Sequence, residues 1–365
     1  MTNDFTKNPI IMTVRRMTDR RKARKTIGIL SVCHMMVDFL CAFSLYGFLM
    51  RRSDMPEMFL IYNFCAFALQ MPLGVLLDGW NQRRKDSLAG WVFTASGMAL
   101  TFAGALGSPV LLGIGNALFH VGGGVQTIEE DDRANLKGRG LGVFVAPGAI
   151  GLAAGTLYAS FLQRITVLGV WAFCAVLGLT ILGKDAQKER LENYSSENKE
   201  FAGIRGEPGR VLAAAFAVVV LRSLVGMAMK FPWKSAPLVT MIAVLFIAAG
   251  KAAGGFLFAK YPRKKAAAGT LLGAAACFAL GEWIIPGMAG LFLFNMTMPL
   301  TLYMLKEKMP QTPGLAFGIL TFGLFLGYLP VYYGWITVSS PLVVGGTGSL
   351  LSLAAFLWVW RREKP

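Results

Sequence analysis

Twelve apolar runs follow one another along this chain, each about as long as a bilayer's hydrocarbon core is thick, and they leave room for little besides membrane-spanning helices. A helix needs about 20 predominantly apolar residues to cross a core of about 30 Å. Runs of that kind fall at 27–49, 58–77, 87–107, 109–128, 140–162, 165–183, 211–229, 237–259, 266–284, 286–305, 314–334 and 338–360. Lipid offers no partner to a bare N–H or C=O, so a spanning segment must satisfy its backbone internally, as a helix does. Turns containing Pro109, Pro286 and Pro313 bound several of the runs. The splits between runs three and four and between nine and ten rest on very short turns. The expected fold class is an all-α polytopic membrane protein with twelve transmembrane helices in two six-helix, pseudo-repeated bundles.

The basic residues test that count independently. If the N-terminus is cytoplasmic, only Arg51, Arg52, Arg164, Lys230 and Lys234 fall on the far side, and Arg222 and Lys251 fall within spans. The remaining 29 of the 36 Lys and Arg lie on the cytoplasmic side. Cytoplasmic loops carry such an excess, and a missed span would invert every later loop and erase it. The bias places both termini in the cytoplasm and the chain in a plasma membrane. It also accounts for the net charge of +16 without nucleic acid, since the cations flank apolar runs and form no face with interleaved aromatics. The N-terminal segment does not read as a cleaved signal peptide, because its apolar stretch is too long and lacks a small-x-small exit.

Residues 1–26 form a basic tail and 27–183 a first six-helix bundle. Residues 184–210, rich in Lys, Glu, Ser and Asn, form a cytoplasmic linker. A second bundle covers 211–360, and 361–365 form a short tail. The halves echo each other: Gly74, Asp78, Arg83 and Arg84 after the second span answer Gly254, Gly255, Arg263 and Lys264 after the eighth. Repeated halves are a transporter signature. The five cysteines, Cys33, Cys41, Cys65, Cys174 and Cys277, all lie in apolar runs without metal-ligand spacing; they read as small buried hydrophobes, and no metal site is expected.

Ionisable residues at bilayer depth are costly and mark function by default. His34 and Asp38 lie mid-span one, four residues apart and therefore on one helical face. A carboxylate beside an imidazole can hold or pass a proton near neutral pH, so this pair reads as proton-coupling; the bland alternative is a polar contact that orients helix packing. His120 in span four is a third candidate relay member or a substrate hydrogen-bonder, the bland alternative being a histidine satisfied by a neighbour; Asn116, a candidate substrate-binding residue, lies one turn earlier and Gly122, Gly123 and Gly124 just after. Arg222 in span seven keeps its charge and forks onto carboxylate or phosphate; it reads as an anion-binding group, or as a permanent ion pair with Asp38. Lys251 in span eight can counter a substrate's negative charge, or snorkel toward the cytoplasm. Gln70, Asn295 and Thr297 are uncharged polar residues near span centres that either bind solute or link helices. The run Glu129-Glu130-Asp131-Asp132 reads as a solvated turn, or as a partner for basic loops when the cytoplasmic side closes. No phosphate loop, H-E-x-x-H, G-x-S-x-G or dinucleotide fingerprint occurs in context, so neither an enzyme nor a self-contained ATP-driven pump is expected. No cofactor is called for beyond a proton gradient, and the partners are a small-molecule solute and membrane lipid around a monomer.

Six plus six helices with a polar central linker resembles the major facilitator superfamily. The most specific segment, Gly74-Val-Leu-Leu-Asp78-Gly-Trp-Asn-Gln-Arg83-Arg84-Lys85, is similar to that superfamily's loop between helices two and three. There the acid and the basic pair form cytoplasmic gate contacts and cap helix ends. The likeness runs from about residue 27 to 360. His34, Asp38 and Gly115-Asn-Ala-Leu-Phe-His120 resemble the fosmidomycin-resistance-type branch. Ala146-Pro147-Gly148-Ala-Ile-Gly151 is similar to the G-P-x-x-G-G motif of drug–proton antiporters, departing at the first Gly and at one of the last two; the Arg those proteins carry in helix four is absent. The resemblance implies a bacterial inner-membrane protein in which helices one, four, seven and ten line a central cavity. The expected function is proton-coupled secondary transport of a small organic solute by alternating access, in the export direction, with an anionic solute if Arg222 and Lys251 meet it. Uptake or facilitated diffusion of an organic anion or nutrient is the first alternative, and a scaffold or sensor without transport is the second.

Overall fold

In the computed structural model the twelve expected spans appear as twelve helical segments in the expected order. Residues 9–47, 55–84, 88–193, 208–337 and 339–361 are described, with the side chains of 9–16, 55, 84 and 184–193 outside that description. In chain order the segments are α1 Pro9–Gly47, α2 Met55–Asn63 continuing as Gln70–Arg84, α3 Leu88–Ala105, α4 Pro109–Arg133, α5 Arg139–Tyr158 and α6 Arg164–Asn193 in the first half. The second half holds α7 Pro208–Ala228, α8 Pro237–Lys260, α9 Arg263–Ala279, α10 Ile284–Asn295 continuing as Met298–Lys308, α11 Pro313–Tyr332 and α12 Thr347–Trp360. Among the described residues there is no strand beyond one isolated bridge, Met229 to Ser339.

Ten of the twelve segments are long and apolar enough to cross a membrane. The other two are α9, of 17 residues, and α4, whose apolar run is interrupted by Asn116, His120 and three consecutive glycines. The short turn between α3 and α4 holds because Gly107 takes φ +147°, open to glycine at little cost. Ser108 then caps α4, its Oγ accepting from the Leu111 amide at 3.3 Å.

Three boundaries differ from the sequence expectation. The basic tail and the first span are one helix: α1 has 39 residues, about 58 Å at 1.5 Å per residue, so its basic first turns stand outside a core of about 30 Å. The polar segment after the sixth span begins as a continuation of α6 to Asn193, while the middle of the expected linker, 194–207, lies outside the described residues, as do 1–8, Arg51, Arg52, Lys85 and 362–365. Spans two, ten and twelve are interrupted helices. α2 contains a π-turn at Phe64–Ala68 just before Pro72, whose ring nitrogen has no hydrogen for the Ala68 carbonyl. α12 opens on a second π-turn, Leu342–Gly346. α10 breaks at Met296 and Thr297, just before Pro299.

One large apolar core joins the halves, uniting Leu40, Phe119 and Phe144 with Ala215, Leu305, Phe317 and Leu320; a second, around Phe278, Leu291 and Phe356, belongs to the C-terminal half. Large apolar side chains such as Phe161, Ile165, Phe173, Leu238 and Ile285 remain exposed on the outside, as suits a surface bathed in lipid. Close helix packing depends on glycine. A Cβ on Gly151 or Gly155 of α5 would run into the Met35 or Phe39 carbonyl of α1, and one on Gly250 or Gly254 of α8 into the Phe292 or Met296 carbonyl of α10.

Candidate functional site

The helical spacing that put His34 and Asp38 on one face also puts them in contact: Nε2 of His34 lies 3.2 Å from Oδ2 of Asp38. α4 presents a matching pair one turn apart. His120 Nε2 lies 2.9 Å from His34 Nε2 and 3.6 Å from Asp38 Oδ1. Asn116 donates from Nδ2 to Asp38 Oδ1 at 3.2 Å and has Cys41 Sγ at 3.6 Å. Both histidines are buried, whereas Asp38 keeps 18% of its side-chain surface open. The three donor atoms all fall within 4.8 Å of one another, so a single small cation could sit at their focus.

Backbone carbonyls fix the two rings from behind. His120 Nδ1 bonds the carbonyl of Asn116 in its own helix at 2.8 Å. His34 Nδ1 bonds the Phe144 carbonyl of α5 at 2.8 Å. Pro147 lies inside the same helix. Without an N–H, it cannot serve the Val143 carbonyl four residues earlier. Ser31 Oγ of α1 lies 3.3 Å from the freed carbonyl, and Phe144, the next residue, offers its own carbonyl to His34. Gly148 completes the wall: a Cβ there would overlap His34 Nε2 and Asp38 Oδ2. The antiporter-like residues Pro147, Gly148 and Gly151 thus shape the contact of α5 with α1 around the His–Asp pair. Sequence reasoning missed the Phe144 carbonyl.

The second half contributes two cations. Arg222 is buried; its Nη2 donates to Thr297 Oγ1 at 2.6 Å, its Nη1 to the Phe294 carbonyl at 3.3 Å, and its guanidinium carbon lies 5.2 Å from the Phe294 ring centre. These acceptors sit at the break in α10, where the Thr297 hydroxyl itself donates to the Phe294 carbonyl at 3.0 Å. Arg222 Nε has no partner, and Asp38 is not paired with Arg222, so the expected alternative of a permanent ion pair between them is absent. Lys251 makes no ion pair among the described residues, yet it lies within electrostatic reach of Arg222, Asp38 and His120. The five mid-depth ionisable groups therefore form one electrostatic neighbourhood, with a compensated cluster on α1 and α4 and two cations without a carboxylate partner on α7 and α8.

The remaining candidates lie elsewhere. Gln70 is fully buried; its Nε2 donates to the Ala66 carbonyl in the π-turn of α2 at 2.6 Å, and its backbone carbonyl abuts Gly318 of α11. Asn295 donates to the Leu291 carbonyl of its own helix at 2.8 Å, at the break in α10.

On the side that the cation count assigns to the cytoplasm, the gate-like motif joins the halves. Asp78 accepts from the amides of Gly314 at 2.8 Å and Leu315 at 2.7 Å, capping the first turn of α11, where free N–H groups and the helix dipole favour a carboxylate. A Cβ on Gly74 would strike the Gly314 carbonyl. Arg83 is exposed, and the side chain of Arg84 is outside the described residues. The acidic run is not a free turn. Asp131 accepts from the amides of Gly138 and Gly140, each at 2.7 Å, and burial raises its pKa above the usual carboxylate value, a shift opposed by those two bonds. Asp132 pairs with Lys306 of the other half, and Glu130 with Arg133. Lys306 was not foreseen from the sequence, since a lysine at a helix end reads equally well as an orientation signal.

No family model matches the chain, and no curated protein sequence matches it. Among solved structures it is similar to the crystal structure of an alanine variant of the E. coli fucose:proton symporter, FucP, with a TM-score of 0.55, 13% sequence identity, and coverage of 96% of this chain and 100% of that one. At that identity the likeness shows fold alone. The chain shares the fold of that symporter, and ten of its helices are long and apolar enough to cross a membrane.

Proposed function

We propose that this protein is a proton-coupled secondary transporter of a small organic anion, working by alternating access in the bacterial inner membrane with both termini in the cytoplasm. The observation that carries the reading is the concentration of every mid-depth ionisable group into one neighbourhood. His34, Asp38 and His120 form a site for a proton, and Lys251 and Arg222 stand near it without a carboxylate of their own. Each unpaired charge at this depth costs about 2.5–3.5 kcal/mol, which an arriving anion would offset. Asp38 binds and releases the proton, His34 and His120 share it, Arg222 forks onto the solute's negative group, and Lys251 adds field. Asn116 holds Asp38; Gln70 and Asn295 line helices that must move. The segment with Gly74, Asp78, Arg83 and Arg84 closes the cytoplasmic side.

Export is favoured by the similarity of the Pro147–Gly151 segment to the drug–proton antiporter motif. Uptake by symport is the second reading, favoured by the fold shared with a protein described as a fucose:proton symporter. One experiment tests the function and separates the directions. Purified protein is placed in liposomes containing a pH dye, and gradients of short-chain carboxylates and of organic phosphate monoesters are imposed in turn. Coupling predicts a solute-driven pH change that Asp38→Asn abolishes while the protein stays folded. The sign of that change distinguishes symport from antiport. Full coupling in Asp38→Asn rejects the assignment, and absence of any solute-driven flux in the unsubstituted protein rejects transport of these anions.

A further inference from the structure

The hydrogen-bond pattern around the two histidines specifies how many protons they hold. A backbone carbonyl can only accept, so the Nδ1 of His34 facing the Phe144 carbonyl and the Nδ1 of His120 facing the Asn116 carbonyl, each at 2.8 Å, must both carry a hydrogen. Every remaining choice then falls on the two Nε2 atoms, which face each other at 2.9 Å. With no proton there, two lone pairs confront one another beside the Asp38 carboxylate, and three acceptors share a point without a donor. With two protons, two N–H groups and two positive rings oppose each other. With one, an N–H···N hydrogen bond forms, and the resulting imidazolium lies 3.2–3.6 Å from Asp38, leaving the group neutral overall.

We propose that His34 and His120 act as one acceptor for a single shared proton on the line between their Nε2 atoms, and that this proton holds α1 to α4 at mid-depth, so that its departure drives the two rings apart. The proton leaves past Asp38, whose side chain keeps 18% of its surface open, to a water molecule: the Nε2–H bond breaks, an O–H bond of hydronium forms, and no other bond changes. Asp38 on α1 lies against both rings, and Lys251 on α8 acts electrostatically on His120; Cys41 on α1 and Tyr62 on α2 interact with Asp38 and with each other, and Arg222 interacts with Lys251. Of these only Asp38 touches the rings. α5 contributes Phe144 and Gly148, which do not titrate. The inference deepens the proton-coupled reading and depends on it for its meaning in transport, but it stands or falls on proton occupancy.

The chain contains only two histidines, which makes the test direct. The full chain, labelled with 15N-histidine, freed of metal by a chelator and placed in lipid nanodiscs, is followed by nitrogen NMR across pH. Two protonated Nδ1 atoms are expected, together with a single Nε2–H shared by the two rings, scalar coupling across the Nε2···Nε2 bond, and one proton lost from the pair in one step. In His120→Gln the remaining His34 should lose the coupling and titrate alone. In Asp38→Asn the shared-proton step should move down by about one pH unit or more, as loss of a carboxylate partner demands. Two independent titrations in the unsubstituted protein, both Nε2 atoms protonated at once, or a chelator-resistant metal ion in place of the proton would each overturn the proposal. Because no solute is used, a shared proton in a protein whose transport ignores pH would sink the proposed function alone. Proton-driven transport with two independent rings would sink this inference alone.

Discussion

Two side chains of α1 occupy the place where Gly148 would carry a methyl group, so this position tests the proton site without touching its chemistry. Gly148→Ala should push His34 and Asp38 out of line. Overpacking costs about 1–3 kcal/mol, and roughly tenfold accompanies each 1.4 kcal/mol, so proton-driven flux should fall by about an order of magnitude with the fold retained. Gly28→Ala, where nothing lies within 4 Å of the new Cβ, should leave it unchanged; equal effects at both sites in the liposome assay would remove Gly148 from the site. Arg222 makes a second prediction. Lys in its place keeps the charge but loses the fork that reaches both Thr297 Oγ1 and the Phe294 carbonyl. Arg222→Lys should therefore raise KM for the anion roughly tenfold with a smaller change in kcat, and an unchanged KM would place the solute elsewhere. At this scale the legible part was the local part. His34 and Asp38 announce each other by helical spacing, but nothing in sequence tells His120 that its partner is 86 residues away, and a carbonyl acceptor such as Phe144 has no side-chain signature at all.

Helices are modified here where they meet a functional group, and in each case a proline lies beside the irregularity. Pro147 lies inside α5 near His34, Pro299 follows the break in α10 that exposes carbonyls to Arg222, and Pro72 follows the π-turn of α2. Apolar length is sufficient to locate a span, and it located all twelve, but it is blind to such breaks because a broken helix and a straight one have the same hydropathy. Pro147→Ala would return a donor to the Val143 carbonyl and complete the hydrogen-bond ladder of α5 there. The Phe144 carbonyl would then turn back into its own helix and weaken its bond to His34. One hydrogen bond contributes about 1 kcal/mol net, so the proton affinity of the site should change by roughly fivefold. The substitution should stabilise α5 itself against heat, since it removes a helix breaker. A heat-stabilised Pro147→Ala with unaltered proton affinity, measured by the same NMR titration, would show that Pro147 serves packing alone.

For the molecule as a whole, the basic residues were the most informative signal, because one wrong span would have reversed every loop after it. They predict a helix count and an orientation but not the contacts between halves, which form only when distant loops meet. The seam on the side that the cation count assigns to the cytoplasm joins Asp78 to the first turn of α11, Gly142 to the backbone of α8 and Asp132 to Lys306. Asp132 is half open to solvent, at 51%, while Lys306 is buried at 9%, so their pairing is discounted by screening to about 0.5–1 kcal/mol. If the pair helps close this face, Asp132→Lys should speed amide exchange of residues 313–318 and 138–142 by roughly two- to fivefold, because it sets two cations against each other where one pair had stood. Lys306→Asp should do the same from the other side. The exchanged pair, Asp132→Lys with Lys306→Asp, should return exchange toward its original rate, which distinguishes a cross-seam attraction from local damage to either helix. If both single variants exchange at the original rate, the halves are held by the glycine contacts and the Asp78 cap alone, and opening of this face must then be controlled from the proton site rather than from the seam.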